Sequence, residues 1–466
     1  MKRRNFLHSI TYGSLGAGLL PVYPNRVFSG ETLSGHGDQK IKRFGDGRDW
    51  FFEKRFGMFV HWGLYAIPGW HEQHQYRGRV PRHEYVKLAD QWNPVQFNPD
   101  KWLDLMEVAG MKYLCVTTKH IDGFCLWDTK QTDFNAMNTP YGKDIIAMLA
   151  DACHKRNIPL CLYYAIVDNN HPNYPNEGRA HELPPQPQDS PNQEKYLKFL
   201  KAQVRELCTN YGEIYGFWWD ANRLGIKEPS INNMIRELQP GAVINDRGFD
   251  EGDFGTPERD YQKDDKMSFD KPVEACQSVG MESWGYRKDE DYYTDRHLIG
   301  SIDRYLVRDA NYLLNVGPMA DGNIPEESQA ILKRIGKWYD AVKESLEGVQ
   351  PASYLFSKSS VMLTYRDNVL YVHLNKELPG SAVKLKPINV APLKATLLND
   401  GRKMDFAVRF NPSDHTEQKA FLNLVGLPGN ELCSTVPVIK LEFDCSVSEL
   451  VQPASTHDAI INGPAF

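Results

Sequence analysis

Between about residues 50 and 345, short β-rich runs alternate with charged, helix-like segments, and this order restricts the chain to a parallel α/β architecture. The runs at 57–60, 113–118, 160–164, 214–219, 243–245 and 312–316 are almost continuously apolar, as strands covered on both faces must be. Between them, 99–109, 144–156, 193–209 and 230–238 carry the apolar spacing of amphipathic helices. Parallel neighbours need a crossover, and the helices supply it. Repeated over about 300 residues, the order fits a TIM-like (β/α) barrel better than an open nucleotide-binding sheet. No Gly-x-Gly-x-x-Gly follows the first strand, which weakens the open-sheet reading further.

The pattern changes after residue 345. Segments 361–365, 369–374, 382–385 and 438–443 alternate like antiparallel strands divided by turns. The expected organisation is a catalytic barrel over 45–345 and a C-terminal antiparallel β-sandwich over 350–466, consistent with a chain of 466 residues. The loop at 170–193 carries Pro172, Pro175, Pro184, Pro185, Pro187 and Pro191, so it is expected at the surface beside the cleft.

Residues 1–30 read as an export signal. Lys2-Arg3-Arg4-Asn5-Phe6-Leu7 is a positive start, and the mildly apolar run from Ser14 to Leu20 follows it. Paired arginines before Phe-Leu resemble a bacterial twin-arginine signal, and a Sec-type signal needs only the charge and the apolar run; either implies export, with the periplasm as the expected location. No later stretch reaches the roughly 18 apolar residues of a transmembrane anchor. A net charge of -6 leaves no basic surface for a phosphate backbone, so nucleic acid is not an expected partner. The eight cysteines show no Cys-x-x-Cys spacing; most are expected as buried thiols, with a Cys433–Cys445 pair left open. Oligomeric state is not written in the sequence.

In a (β/α) barrel the site lies at the C-terminal ends of the strands. Five such ends are rich in polar groups: His61-Trp62-Gly63, Lys119-His120, Tyr163-Tyr164, Trp218-Trp219-Asp220 and Asn245-Asp246-Arg247. Asp220, directly after an aromatic strand, is placed to attack an electrophilic carbon from a partly dry setting. The competing reading makes it a helix N-cap. Glu258, in Gly255-Thr256-Pro257-Glu258, is expected on a long loop able to reach across the same opening. Paired carboxylates suit glycosidic cleavage, in which one attacks and its partner protonates the leaving oxygen. A proton-donating partner needs a raised pKa, which desolvation and a neighbouring anion supply. Arg247 and the histidines suit sugar hydroxyls, and Trp284 suits an apolar sugar face.

At these residues the sequence resembles the α-L-fucosidase family of retaining glycoside hydrolases. The resemblance spans about residues 45–345 and is ordered: Arg55 to Gly63, then Thr118-Lys119-His120 with Asp122-Gly123-Phe124, then Trp218-Trp219-Asp220, Asn245-Asp246-Arg247 and Ser283-Trp284-Gly285-Tyr286. It implies an exo-acting enzyme that releases α-L-fucose from a glycan without a cofactor or metal. Asp220 would be the nucleophile and Glu258 the acid/base, with His61, Glu72, His120, Tyr164, Arg247 and Trp284 lining the sugar pocket. The chain departs from the family pattern at Ile121, Gln73 and Ala221-Asn222, which keeps a related L-sugar or a galactose-configured substrate as an alternative. A non-catalytic carbohydrate-binding protein is the alternative from another class. The group His71-Glu72-Gln73-His74 suggests a metal hydrolase, but its spacing is not His-Glu-x-x-His.

Overall fold

In the computed structural model of the chain, seven parallel strands form one sheet in the order β5-β4-β3-β2-β1-β7-β6. They are β1 (Phe56–Val60), β2 (Tyr113–Lys119), β3 (Leu160–Ala165), β4 (Gly216–Asp220), β5 (Val243–Ile244), β6 (Glu274–Ser278) and β7 (Asn311–Val316). The structure describes residues 41–175, 183–184, 186–259, 269, 271–352, 361–376, 380–386, 388, 390–410 and 420–450. The expected export signal at 1–30 lies outside the described residues.

The six apolar runs fall on β1 to β5 and β7. β6 is an addition, because Glu-Ala-Cys-Gln-Ser does not read as a buried strand although all five residues are buried. Edge strands β5 and β6 are joined through the segment at 254–258. Phe254 bridges Asn245, Gly255 bridges Val273 and Glu258 bridges Cys276, all in parallel. This segment takes the place of a strand and brings the sheet round into a TIM-like barrel. Glu258, expected on a long loop, is therefore fixed to the barrel wall.

Among the described residues, six helices of ten residues or more cross between strands or follow them: α1 (Pro99–Val108), α2 (Ile145–Arg156), α3 (Gln193–Thr209), α4 (Pro229–Leu238), α5 (Asp295–Leu306) and α6 (Glu326–Val342). Their starts follow from capping chemistry. The side chains of Asn98, Asp144, Asn192 and Thr294 accept backbone N–H groups of the first turns of α1, α2, α3 and α5. In α3 the buried residues Tyr196, Leu200, Val204 and Leu207 recur at helical spacing and form the face against the sheet. Inside the barrel, Gly317 allows a close crossing: a Cβ there would lie 2.3 Å from the carbonyl carbon of Gly285, so the loop carrying Trp284 rests directly on the end of β7.

The C-terminal part is a sandwich of a five-stranded antiparallel sheet and a three-stranded one. The first orders β12 (Lys394–Leu397), β15 (Val438–Glu442), β10 (Val369–His373), β9 (Met362–Arg366) and β8 (Gln350–Pro351). The second orders β11 (Ala382–Leu385), β14 (Ala420–Val425) and β13 (Asp405–Phe410). Val372, Leu385, Leu397, Leu424 and Ile439 belong to its shared core. It is fastened to the barrel at α5 and α6: His373 Nδ1 lies 2.6 Å from Asp303 Oδ1, and the Trp338 indole donates to the carbonyl of Val436 at 3.0 Å.

Pro172, Pro184, Pro187 and Pro191 of the proline-rich loop are exposed as expected, while Leu183 is buried and Asp189 forms a buried ion pair with Arg82. Cys433 and Cys445 are free thiols, the first exposed.

Candidate active site

Asp220 ends β4, where the pleat sends Trp218 inward and Trp219 outward. Trp219 donates its indole N–H to Asn232 of α4 at 2.9 Å, and the Asn245 amide bonds both the N–H and the carbonyl of Trp219 at 2.8 and 2.9 Å. The strand end is thus clamped on its outer side. Ala221 then turns sharply with φ of 58°, a left-handed conformation that costs a residue with a Cβ about 1–2 kcal/mol. Asp220 caps no helix: α4 begins nine residues later, and its own cap, Glu228, makes no side-chain bond to it.

The carboxylate of Asp220 instead accepts the Tyr163 hydroxyl at 2.8 Å and Nη1 of Arg247 at 3.2 Å. The same Nη1 donates to Oε2 of Glu258 at 2.9 Å. One guanidinium nitrogen therefore spans both carboxylates, which lie no farther apart than those two contacts laid end to end. A separation of about 5–5.5 Å, suited to retaining hydrolysis, falls within that limit. Arg247 is itself fixed, donating from Nε to Thr256 Oγ1 at 2.7 Å and from Nη2 to the Thr256 carbonyl at 2.9 Å. Burial pushes the Asp220 carboxyl up, but the Arg247 guanidinium, the Tyr163 hydroxyl, His120 and the Ala221 amide together outweigh it. The carboxyl is held below its ordinary range, so it is an anion at neutral pH. The sign of a test follows. The acid limb of kcat/KM falls below the ordinary carboxylate range in the wild type, and Arg247→Gln moves it to higher pH because burial then acts with less opposition. An unmoved acid limb in a pH–rate profile of the variant would contradict this.

Aromatic rings enclose the anion. The His120 ring stacks on Tyr163 at 5.8 Å, and His61 lies 5.3 Å from both Tyr163 and Trp284. His61 comes from the end of β1 and is buried, which lowers its pKa to about 4 and keeps it neutral. Asn315, at the end of β7, orients it: the Asn315 amide donates to the Trp284 carbonyl at 2.7 Å, so its oxygen accepts His61 Nδ1–H at 2.7 Å. Nε2 of His61 is left as the acceptor. Glu72, on the loop after β1, is buried and accepts from Ser283 Oγ and the Trp284 N–H, both at 2.9 Å. Glu72 and Asn315 thereby hold the loop that carries Trp284.

Asp220, Glu258, His61, His120, Arg247 and Trp284 thus converge, with Glu72 bracing Trp284. Tyr164 does not join them. It lies on the outer face of β3, its hydroxyl donates to Gln203 of α3 at 2.6 Å, and its neighbour Tyr163 takes the place expected for it. Two groups take parts that the sequence reading did not assign. The Trp218 ring stacks on Tyr163 at 5.8 Å and lies 4.9 Å beneath the Arg247 guanidinium. Its indole N–H donates at 2.8 Å to Glu274, which also accepts the Tyr113 hydroxyl at 2.5 Å. Burial raises Glu274 to about 7 despite those two bonds. The plate under both of Asp220's side-chain hydrogen-bond donors is thus anchored to a carboxyl in the barrel interior, which a lone Glu in an undistinguished run does not announce.

The group at 71–74 does not form a metal centre. His71 Nδ1 accepts the Gln73 N–H at 3.0 Å and burial lowers its pKa to about 3, so its 3.0 Å approach to Glu72 is not an ion pair. Among the described residues no cluster of three His, Cys, Asp or Glu is placed to hold an ion.

The sequence model of the alpha-L-fucosidase family matches residues 39–344. The chain belongs to the alpha-L-fucosidase family. Tissue alpha-L-fucosidase of Bos taurus is 27% identical over 400 residues, covering 78% of this chain and 82% of that protein. Alpha-L-fucosidase isoenzyme 1 from Paenibacillus thiaminolyticus superposes with a TM-score of 0.74 at 33% identity, covering 86% of this chain and 99% of the other. A Bacteroides thetaiotaomicron alpha-L-fucosidase, solved as a trapped covalent intermediate with 2-fluoro-fucosyl fluoride, gives 0.71 at 28%, covering 87% and 98%. The family match ends where the barrel helices end, so the fucosidase signature resides in the barrel.

Proposed function

We propose that this α-L-fucosidase works by double displacement, with Asp220 as the nucleophile and Glu258 as the acid/base. In the first step an oxygen of Asp220 bonds to the anomeric carbon of the fucoside while Glu258 gives its proton to the departing glycan oxygen. In the second, Glu258 takes a proton from water as that water attacks the same carbon and releases Asp220. Two inversions leave the anomeric configuration unchanged.

The observation that carries the reading is the shared Arg247 nitrogen, which brings together two carboxylates 38 positions apart in sequence. Tyr163 and Arg247 hold Asp220 ionised and oriented, which lowers the reorganisation needed for attack. Neutral His61 suits sugar hydroxyls, as does His120, and Trp284 suits the apolar face of the ring. Proton NMR of a fresh digest of an aryl α-L-fucoside tests the stereochemistry: α-fucose appears first and mutarotates to β. Initial release of β-fucose would rule out double displacement.

A further inference from the structure

Six large hydrophobic side chains are exposed among the described residues: Trp70, Val95, Val108, Met137, Met281 and Leu393. Two of them, Trp70 at 37% and Met281 at 44% exposure, stand on the loops after β1 and β6. These are the loops that Glu72 ties together through Ser283 and the Trp284 N–H, so both exposed side chains belong to the rim of the site. The Trp70 ring is propped by His71 and His74, at 5.9 and 5.6 Å between centroids. An indole fixed at the lip of a sugar site, with part of its surface bare, offers a stacking platform.

Arg259 contacts the second of these loops. It follows Glu258 directly, lies 4.9 Å over the Trp284 ring, and donates from Nη1 to the carbonyl of Met281. Its backbone is held at φ of 50°, a left-handed conformation unfavourable for a residue with a side chain, where the adjoining segment pairs with β6. No carboxylate pairs with it among the described residues. Its charge is felt by His71, next to Trp70, and by Glu290; Arg287 also acts on both, and Arg77 and Glu282 act on His71. The cation therefore sits on the same rim as the indole.

We propose that Trp70, Arg259 and Met281 form the binding surface for the sugar to which fucose is joined. The inference rests on the acid/base assignment of Glu258: the group that protonates the leaving oxygen faces the leaving group, and Arg259 is its neighbour in the chain. A pyranose lays its C–H face on an indole and takes guanidinium N–H bonds on its hydroxyls, and this rim offers both.

The test compares kcat/KM for a fucosylated disaccharide with kcat/KM for α-L-fucosyl fluoride, which carries no leaving sugar. The ratio of disaccharide to fluoride falls about tenfold in Trp70→Ala and in Arg259→Gln, and Trp70→Phe restores most of it. A ratio within twofold of wild type in both alanine and glutamine variants overturns the proposal. Binding is read separately by calorimetry in an Asp220→Asn background, titrating the disaccharide against free L-fucose. Loss of the disaccharide's advantage on adding Trp70→Ala supports the rim, and its persistence refutes it. A wild type inactive on both substrates would strike at the catalytic assignment, and the titration would still decide the rim.

Discussion

Replacing Asp220 with alanine lowers kcat on an aryl α-L-fucoside by about 10⁴-fold or more, because on the proposed mechanism it removes the group that bonds to the anomeric carbon. The carboxylate is the meeting point of the Tyr163 hydroxyl and the Arg247 guanidinium, so its removal also leaves both donors without their acceptor. Asp220→Asn keeps the shape, lacks the nucleophilic charge, and is expected to be equally inactive with an unchanged melting temperature. With 2-fluoro-fucosyl fluoride the wild type gains the mass of one fluorofucosyl group, and peptide mapping places it on Asp220. Residual activity within tenfold of wild type in the alanine variant, or label on another residue, would end the nucleophile assignment.

Glu258→Ala produces the second large effect, and its size depends on the leaving group. For a saccharide leaving group, which needs a proton to depart, kcat falls by about 10²–10⁴-fold. For fluoride, which needs little help, the fucosyl-enzyme forms but its hydrolysis lacks a base, so a burst of one equivalent precedes slow turnover. Rapid-quench measurements on both substrates separate the steps. An equal loss on both substrates without a burst would show that Glu258 is not the acid/base.

The barrel strands were legible where they are continuous apolar runs, as in Met58-Phe59-Val60 and Tyr113 to Thr117. β6 was not, because its polar residues find partners only after folding: Glu274 bonds Tyr113 and Trp218, residues 161 and 56 positions away. The part played by the segment at 254–258 was equally hidden, since its three bridges span two edge strands whose proximity depends on closure of the whole sheet. The choice between Tyr163 and Tyr164 shows the same limit at the site. Two adjacent tyrosines at a strand end look alike in sequence, and the pleat sends one to Asp220 and the other to Gln203 of α3.

The amino-acid sequence by itself determined the alternation of strand and helix, the change to antiparallel strands after the barrel, and the chemical types gathered at the strand ends. Each of these is a local property: apolar periodicity, capping groups, and the residue that closes an apolar run. Tertiary structure alone decided that Glu258 stands on the barrel wall within reach of Arg247 and that Tyr163 faces the anion. It also decided that Trp218 and Glu274 lie beneath it. Those outcomes depend on register and on closure of the sheet, which bring together groups that share no signal along the chain.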